Sequence, residues 1–181
     1  MIKIFIKKIK KLLKIKFLFN FPTKKKILLY DESNVKILKD IIRKDFNLIK
    51  IREIEIYFWI FIKQIFLFDF SFLTYFKNYV KFTSTKIVIT IVDNNLSYYE
   101  LKNNLKNLIF ISIQNGVRHK NTYFFNKKYI KKNSKYLKDL KCDHFFVFNK
   151  YIMREFKRII SSNYHVLGNY KNNYIKLKKT R

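Results

Sequence analysis

The chain has 181 residues, 49% of them hydrophobic, and a formal charge of +28 from 40 Lys and Arg against 12 Asp and Glu. That length and apolar content suffice for one domain with a buried core, which excludes a disordered polycation. A single Cys excludes an internal disulfide framework, and three scattered His residues offer no metal-ligand spacing, so no metal site is expected.

Strong basicity ordinarily points to nucleic acid or an anionic membrane. Here Ala is absent, Gly occurs twice and Pro once, while the abundant residues are those whose codons consist largely of A and T. Mutational bias of that kind raises Lys at every tolerant surface position. The charge therefore weighs less as a sign of a phosphate partner, and nucleic acid is the weaker expectation. The N-terminus lacks the long apolar region and small-residue cleavage site of a secretory signal, so a cytoplasmic protein is expected.

In MIKIFIKKIKKLLKIKFLF, Ile2, Phe5, Ile6, Ile9, Leu12 and Leu13 recur at helical spacing opposite Lys3, Lys7, Lys10, Lys11 and Lys14. The spacing predicts a basic amphipathic helix within residues 1–23, ended by Phe21, Pro22 and Thr23. Such a helix either packs on its own domain or lies in the headgroup region of an anionic bilayer, making the inner membrane face a candidate partner. A Rossmann-like domain is expected over residues 24–181. KILLYD, ending at Asp31, reads as a buried strand; Val35, Leu38, Ile41 and Ile42 mark a helix from Ser33 to Lys44; and Leu48 to Ile56 reads as a second strand.

The stretch IYFWIFIKQIFLFDFSFL, residues 56–73, tests as a membrane span and falls short. Its roughly twelve aliphatic and Phe residues offer about −4 to −7 kcal/mol, which Lys63 and Asp69 cancel at about +5 to +7. A helix pair broken near Asp69 to Ser71 is expected instead, the second helix running through Tyr75, Phe76, Tyr79 and Val80, with Trp59 and the Phe residues in the core. Strands at 87–92 and 109–113 follow, with a helix from Ser97 to about Leu105 between them. After a polar stretch from Gln114 to about Ser134 come FFVF at 145–148, a helix through Tyr151, Ile152, Phe156 and Ile159, and YHVLG at 164–168. Strands and helices alternate, and the strands are continuous apolar runs. This predicts an α/β fold, a mostly parallel sheet flanked by helices, preceded by the basic helix.

Asp93, Asn94 and Asn95 directly follow the strand at 87–92, and Gln114, Asn115, Gly116 and Arg118 follow the strand at 109–113. Gly168, Asn169, Lys171, Asn172 and Asn173 follow the last strand. Ligands of open parallel sheets bind outside the carboxyl ends of strands, so all three clusters fall on the binding edge. Amides there can donate to and accept from sugar hydroxyls, and Arg118 can pair with a carboxylate or phosphate. General Asn enrichment explains a loop Asn cheaply. It does not explain two surviving glycines, each after a strand and beside an Asn, for which a backbone requirement such as positive φ or close ligand approach is expected.

The succession IVITIVDNN, FISIQNGVR, CDHFFVFN and VLGNYKNN, within Lys26 to Ile175, resembles the N-terminal domain of bacterial surface-carbohydrate biosynthesis proteins, glycosyltransferase-like proteins with a two-domain, GT-B-type arrangement of Rossmann-like folds. The resemblance implies an interdomain cleft faced by the loops at Asp93 to Asn95 and Gln114 to Arg118, with a sugar or glycan acceptor as partner. It also implies a nucleotide-sugar donor for the complete enzyme. No cofactor site for that donor is expected in this chain, whose end falls about where the connection to a donor domain would begin, so that domain is expected to be encoded separately or lost by truncation.

Asp93 is the candidate general base, positioned to take the proton of an attacking sugar hydroxyl, with a loop-holding role as the alternative. His119 is a second, weaker candidate. His144 and His165 read as packing or edge residues, and Cys142, beside Asp143, has no partner to activate a thiolate. The reading is the acceptor-side half of a surface-polysaccharide glycosyltransferase. The alternatives are a basic RNA-binding or ribosome-associated protein, whose affinity falls steeply with salt, and a membrane-bound scaffold.

Overall fold

The computed structural model of the chain describes residues 15–32, 35, 38–39, 42, 45–51, 55–117, 126, 128–129, 131–132 and 139–169. In chain order its elements are β1 (Lys16–Leu18), β2 (Ile27–Tyr30), β3 (Phe46–Ile49), β4 (Glu55–Tyr57), α1 (Phe58–Phe66), α2 (Phe72–Thr83), β5 (Ile87–Thr90), α3 (Leu96–Asn104), β6 (Ile109–Ile113), β7 (Leu140–Val147), α4 (Lys150–Lys157) and β8 (Ile160–Val166). Six strands form one sheet in the order β3-β2-β5-β6-β7-β8, and every neighbouring pair is parallel. The fold is thus α/β with a parallel sheet flanked by helices.

The central strands β2, β5 and β6 are apolar on both faces because both faces are covered. On one face Leu28, Tyr30, Val88, Phe110, Phe145 and Val147 meet Phe76 and Tyr79 of α2, Tyr98 and Tyr99 of α3, and Ile152 and Phe156 of α4. On the other, Leu29, Ile89 and Ile91 pack with Val35, Leu38 and Ile42; residues 35, 38 and 39 are helical, as their spacing predicts. Each large side chain sealed in these layers contributes roughly 1.5–3 kcal/mol relative to exposure.

The helix pair predicted over the apolar stretch 56–73 forms as α1 and α2. Ser71 caps α2, its hydroxyl accepting from the Thr74 amide at 3.2 Å, and α2 ends at Ser84 with φ 57, a left-handed stop. Tyr75, Phe76, Tyr79 and Val80 are all buried. Among the described residues no helix is long and apolar enough to cross a membrane.

The structure corrects several expectations. Residues 1–14, which carry the helical periodicity, lie outside the described residues, and Lys16–Leu18, within the range 1–23 expected to be helical, form β1. Their backbone pairs in parallel with β4, Lys16 meets Glu55 at 3.3 Å, and the Phe17 ring packs against Phe58 and Phe61; a partner strand outweighs helical spacing here. The single strand expected at 48–56 is two, β3 in the main sheet and β4 in this small one. Trp59 is not core: it is half exposed, donates its indole N–H to the Phe19 carbonyl at 2.8 Å and stacks on Phe21. Several Phe residues of the hairpin are likewise exposed. β5 ends at Thr90, and β7 and β8 begin earlier than FFVF and YHVLG suggest.

Tyr98, wholly buried, fastens α3 beneath the sheet: its hydroxyl reaches the carbonyls of Val88 at 2.9 Å and Ile111 at 2.8 Å. Tyr98→Phe keeps the ring packing and removes only these bonds. Urea denaturation is expected to show a loss of about 1–2 kcal/mol with an unchanged m-value.

Candidate functional site

In the main sheet the chain steps from β2 outward to β3, and β5 then takes the other side of β2. The order reverses there, and a crevice opens between the carboxyl ends of β2 and β5, the place where parallel sheets of this kind hold ligands. The crevice is a depression of about 380 Å³ bordered by Asp31, Ile51, Val92, Asn94, Asn95 and Ser97.

Its walls are fixed from beneath. Thr90 donates its hydroxyl to the Tyr30 carbonyl at 3.1 Å and accepts the Val92 amide at 3.1 Å, locking the ends of β2 and β5 together. Asn95 caps α3, its side-chain oxygen accepting from the Ser97 amide at 3.1 Å and the Ser97 hydroxyl at 2.6 Å. Because Ser97 spends its one proton on Asn95, the Tyr30 hydroxyl 3.1 Å away is the donor to Ser97. Burial pushes the Tyr30 phenol up to about 12, which keeps it a neutral donor. At the strand end Asp31 adopts φ 85, its amide held by the Ile49 carbonyl at 3.0 Å. A non-glycine residue in that conformation is uncommon.

Of the residues singled out from sequence, Asn94 and Asn95 border this depression, and Asn94 is exposed. Asp93 sits in the same loop but is fully buried, and its carbonyl accepts the Tyr99 hydroxyl at 2.8 Å. Of the two roles open to it, burial favours holding the loop. Gln114, also fully buried, is a staple: its side chain donates to the Gly116 carbonyl at 2.8 Å and accepts the Phe148 amide at 2.9 Å, tying the end of β6 to the end of β7. Asn115 and Gly116 are partly buried on the same edge, and Gly168 and Asn169 follow β8 there. Arg118, His119, Lys171, Asn172 and Asn173 lie outside the described residues.

The two glycines differ. Gly168 has φ +75, the backbone requirement expected of it, whereas Gly116 has no positive φ and an added Cβ there would meet open space. Two crevice residues, Asp31 and Ser97, escaped sequence reasoning as site residues. The signal for Asp31 was present, a carboxylate ending the strand KILLYD, but the reversal beside β2 that gives it meaning is a property of strand order.

His144 and His165 face each other across β7 and β8, Nδ1 to Nε2 at 3.1 Å, with Phe146 stacked on His165. Burial pushes the Cys142 thiol up to about 12, and its Sγ lies 3.3 Å from the Ser162 hydroxyl. Among the described residues no group of His, Cys, Asp or Glu could hold a metal ion. A wider depression of about 650 Å³ lies at the opposite edge of the sheet, bordered by Lys77, Lys81, Lys86 and Lys106.

Parallel order, a reversal crevice and an amide-rich carboxyl edge place the chain among α/β proteins built on an open parallel sheet. Residues 111–181 match the model of a family described as "putative O-antigen biosynthesis protein". The match connects this part of the chain, from β6 onward and including Gln114 to Gly116 and Gly168 with Asn169, to surface-polysaccharide biosynthesis. No curated protein and no solved structure matches the chain.

Gly168→Ala is expected to cost about 1 kcal/mol in equilibrium unfolding, and Gly116→Ala to stay within about 0.5 kcal/mol of the parent. Cys142 remains a neutral thiol until the pH approaches its raised value. At pH 8 the folded chain should react with a disulfide reagent on the order of 100-fold more slowly than the denatured chain.

Proposed function

We propose that this chain is the acceptor-side Rossmann-like domain of a glycosyltransferase of surface-polysaccharide biosynthesis, and that the crevice between β2 and β5 binds a sugar of the glycan acceptor. One observation carries the reading. A carboxylate residue, two amides and a hydroxyl, Asp31, Asn94, Asn95 and Ser97, converge on one depression at the point where the strand order reverses. Sugars are recognised by such sets of donors and acceptors, and a carboxylate among them can take the proton of an attacking hydroxyl. Asp31, itself only 4% exposed but bordering the depression, is assigned that role in place of Asp93, which is fully buried and does not border it. The family match over residues 111–181 supports the pathway class. A nucleotide-sugar donor, held by a second domain, completes the reaction.

The test is saturation-transfer NMR with oligosaccharides of bacterial surface glycans on the full chain, Asp31→Asn and Asn94→Ala. Asn tolerates the backbone conformation of Asp31, and Asn94 is exposed, so both variants should fold. Glycan affinity is expected to fall roughly tenfold or more in each, from lost polar contacts of about 1–3 kcal/mol. Binding unchanged in both variants would falsify the crevice as the sugar site. A second reading, polyanion binding, is favoured by the four-lysine depression at the opposite edge. It requires affinity for RNA that falls steeply with salt and is lost in Lys81→Glu/Lys86→Glu.

A further inference from the structure

The turn joining α1 to α2 carries the most exposed apolar side chains of the described fold. Phe68 is 89% exposed and Phe66 78%, with Phe70 and Leu67 also exposed beside them. Solvated turns ordinarily carry small polar residues. The conformation of this one makes the choice more pointed. Phe68 has φ 48, a left-handed position that favours Gly or Asn over a bulky side chain. Codon bias does not account for Phe there, because Asn is drawn from the same A- and T-rich set, is plentiful in this chain, and would relieve the strain. A phenyl ring kept at that cost is kept for what the ring touches.

The turn is also built to hold its rings outward. Gln64, buried at the end of α1, donates its amide to the carbonyls of Asp69 and Ser71, both at 2.9 Å. The Asp69 carboxylate accepts the Thr74 hydroxyl and, at 2.9 Å, the Ser71 amide, and these bonds, that from Thr74 foremost, hold its pKa below the usual carboxylate range. The Phe68 amide bonds back to Ile65 at 3.1 Å. The rings are therefore presented on a stapled turn, with no ordering left to do on contact.

We infer that the α1–α2 turn inserts Phe66, Leu67, Phe68 and Phe70 into the headgroup region of an anionic lipid bilayer. Charge selects this occupant. The chain carries +28, and Lys63 and Lys77 stand exposed on the two helices behind the turn, against the one carboxylate of Asp69, whose oxygens are taken by Ser71 and Thr74. That surface suits anionic headgroups above the inserted rings and opposes a second copy of the same chain. Phenyl rings at the level of the headgroups gain apolar burial without spanning the bilayer. The docking element is this turn, which lies in the folded domain, and not the basic N-terminal segment. Phe72, next to the turn, packs edge-on against Tyr30 at 6.4 Å, and Tyr30 bonds to Ser97 of the crevice. Docking by the turn therefore brings the carboxyl edge of the sheet to the lipid surface.

Cosedimentation of the full chain with phosphatidylcholine vesicles, with and without phosphatidylglycerol, tests the inference. Binding should require the anionic lipid. It should weaken roughly tenfold or more in Phe66→Ser/Phe68→Asn/Phe70→Ser, whose positions are exposed and whose Asn relieves the left-handed strain. Circular dichroism melts check that this variant folds. In a Trp59→Phe/Phe68→Trp chain, the single indole emission should shift to the blue on adding anionic vesicles. The vesicles contain no sugar, so these outcomes are independent of the crevice reading. The inference fails if the triple variant binds as the parent does, which would assign binding to the N-terminal segment. It also fails if the indole emission does not move, or if sedimentation shows a dimer that the triple substitution dissociates.

Discussion

The carboxyl edge of the sheet rests on two phenols that never reach water. Tyr98 and Tyr99, consecutive in α3 and both fully buried, send their hydroxyls under neighbouring strand ends. Tyr98 holds the carbonyls of Val88 and Ile111; Tyr99 holds that of Asp93 and meets Ser112 at 3.0 Å. Burial raises both phenols well above their ordinary range, so each is a neutral donor at neutral pH. One helix thereby sets the height of the loop after β5 and the end of β6 together. Asn95 caps the same helix, and its place beside the crevice follows from the position of the two rings below.

Polar groups at this edge divide into those that hold the surface and those that form it. Asp93, Gln114, Thr90 and Ser112 are sealed, and bonds to backbone groups or to the Tyr99 hydroxyl account for the conformations of the loops. Asn94 faces outward, and Asp31, Asn95 and Ser97 border the crevice. A loop rich in amides needs this division, because a buried polar group without partners costs more than its bonds return.

The sheet was legible because its central strands are covered on both faces and so read as largely apolar runs: ILLY, IVIT and IFISI sit where their composition puts them. The hairpin was legible from the charge and turn residues at Asp69 to Ser71. Pairing partners were not. β1 reads as helix until β4 is known to lie beside it, and residues 48–56 read as one strand because nothing local says that two sheets share them. At the site, the strand ends were visible but the crevice was not, since it depends on β5 lying beside β2 and not beside β3. Nor did composition separate buried Phe from the exposed rings of the α1–α2 turn, which differ only in where the chain carries them.

The position of β2 inside the sheet also constrains the order of events during synthesis. Its partner β3 follows within one helix, but its other edge is closed by β5, and the bond from Thr90 to Tyr30 spans 60 residues. Until β5 has left the ribosome, β2 has an open edge, and the hairpin between them has only β2 and β3 of the main sheet to cover. Long-range parallel pairing of this kind closes slowly. A ribosome paused between the codons for α2 and β5 would hold the nascent chain in its most aggregation-prone form.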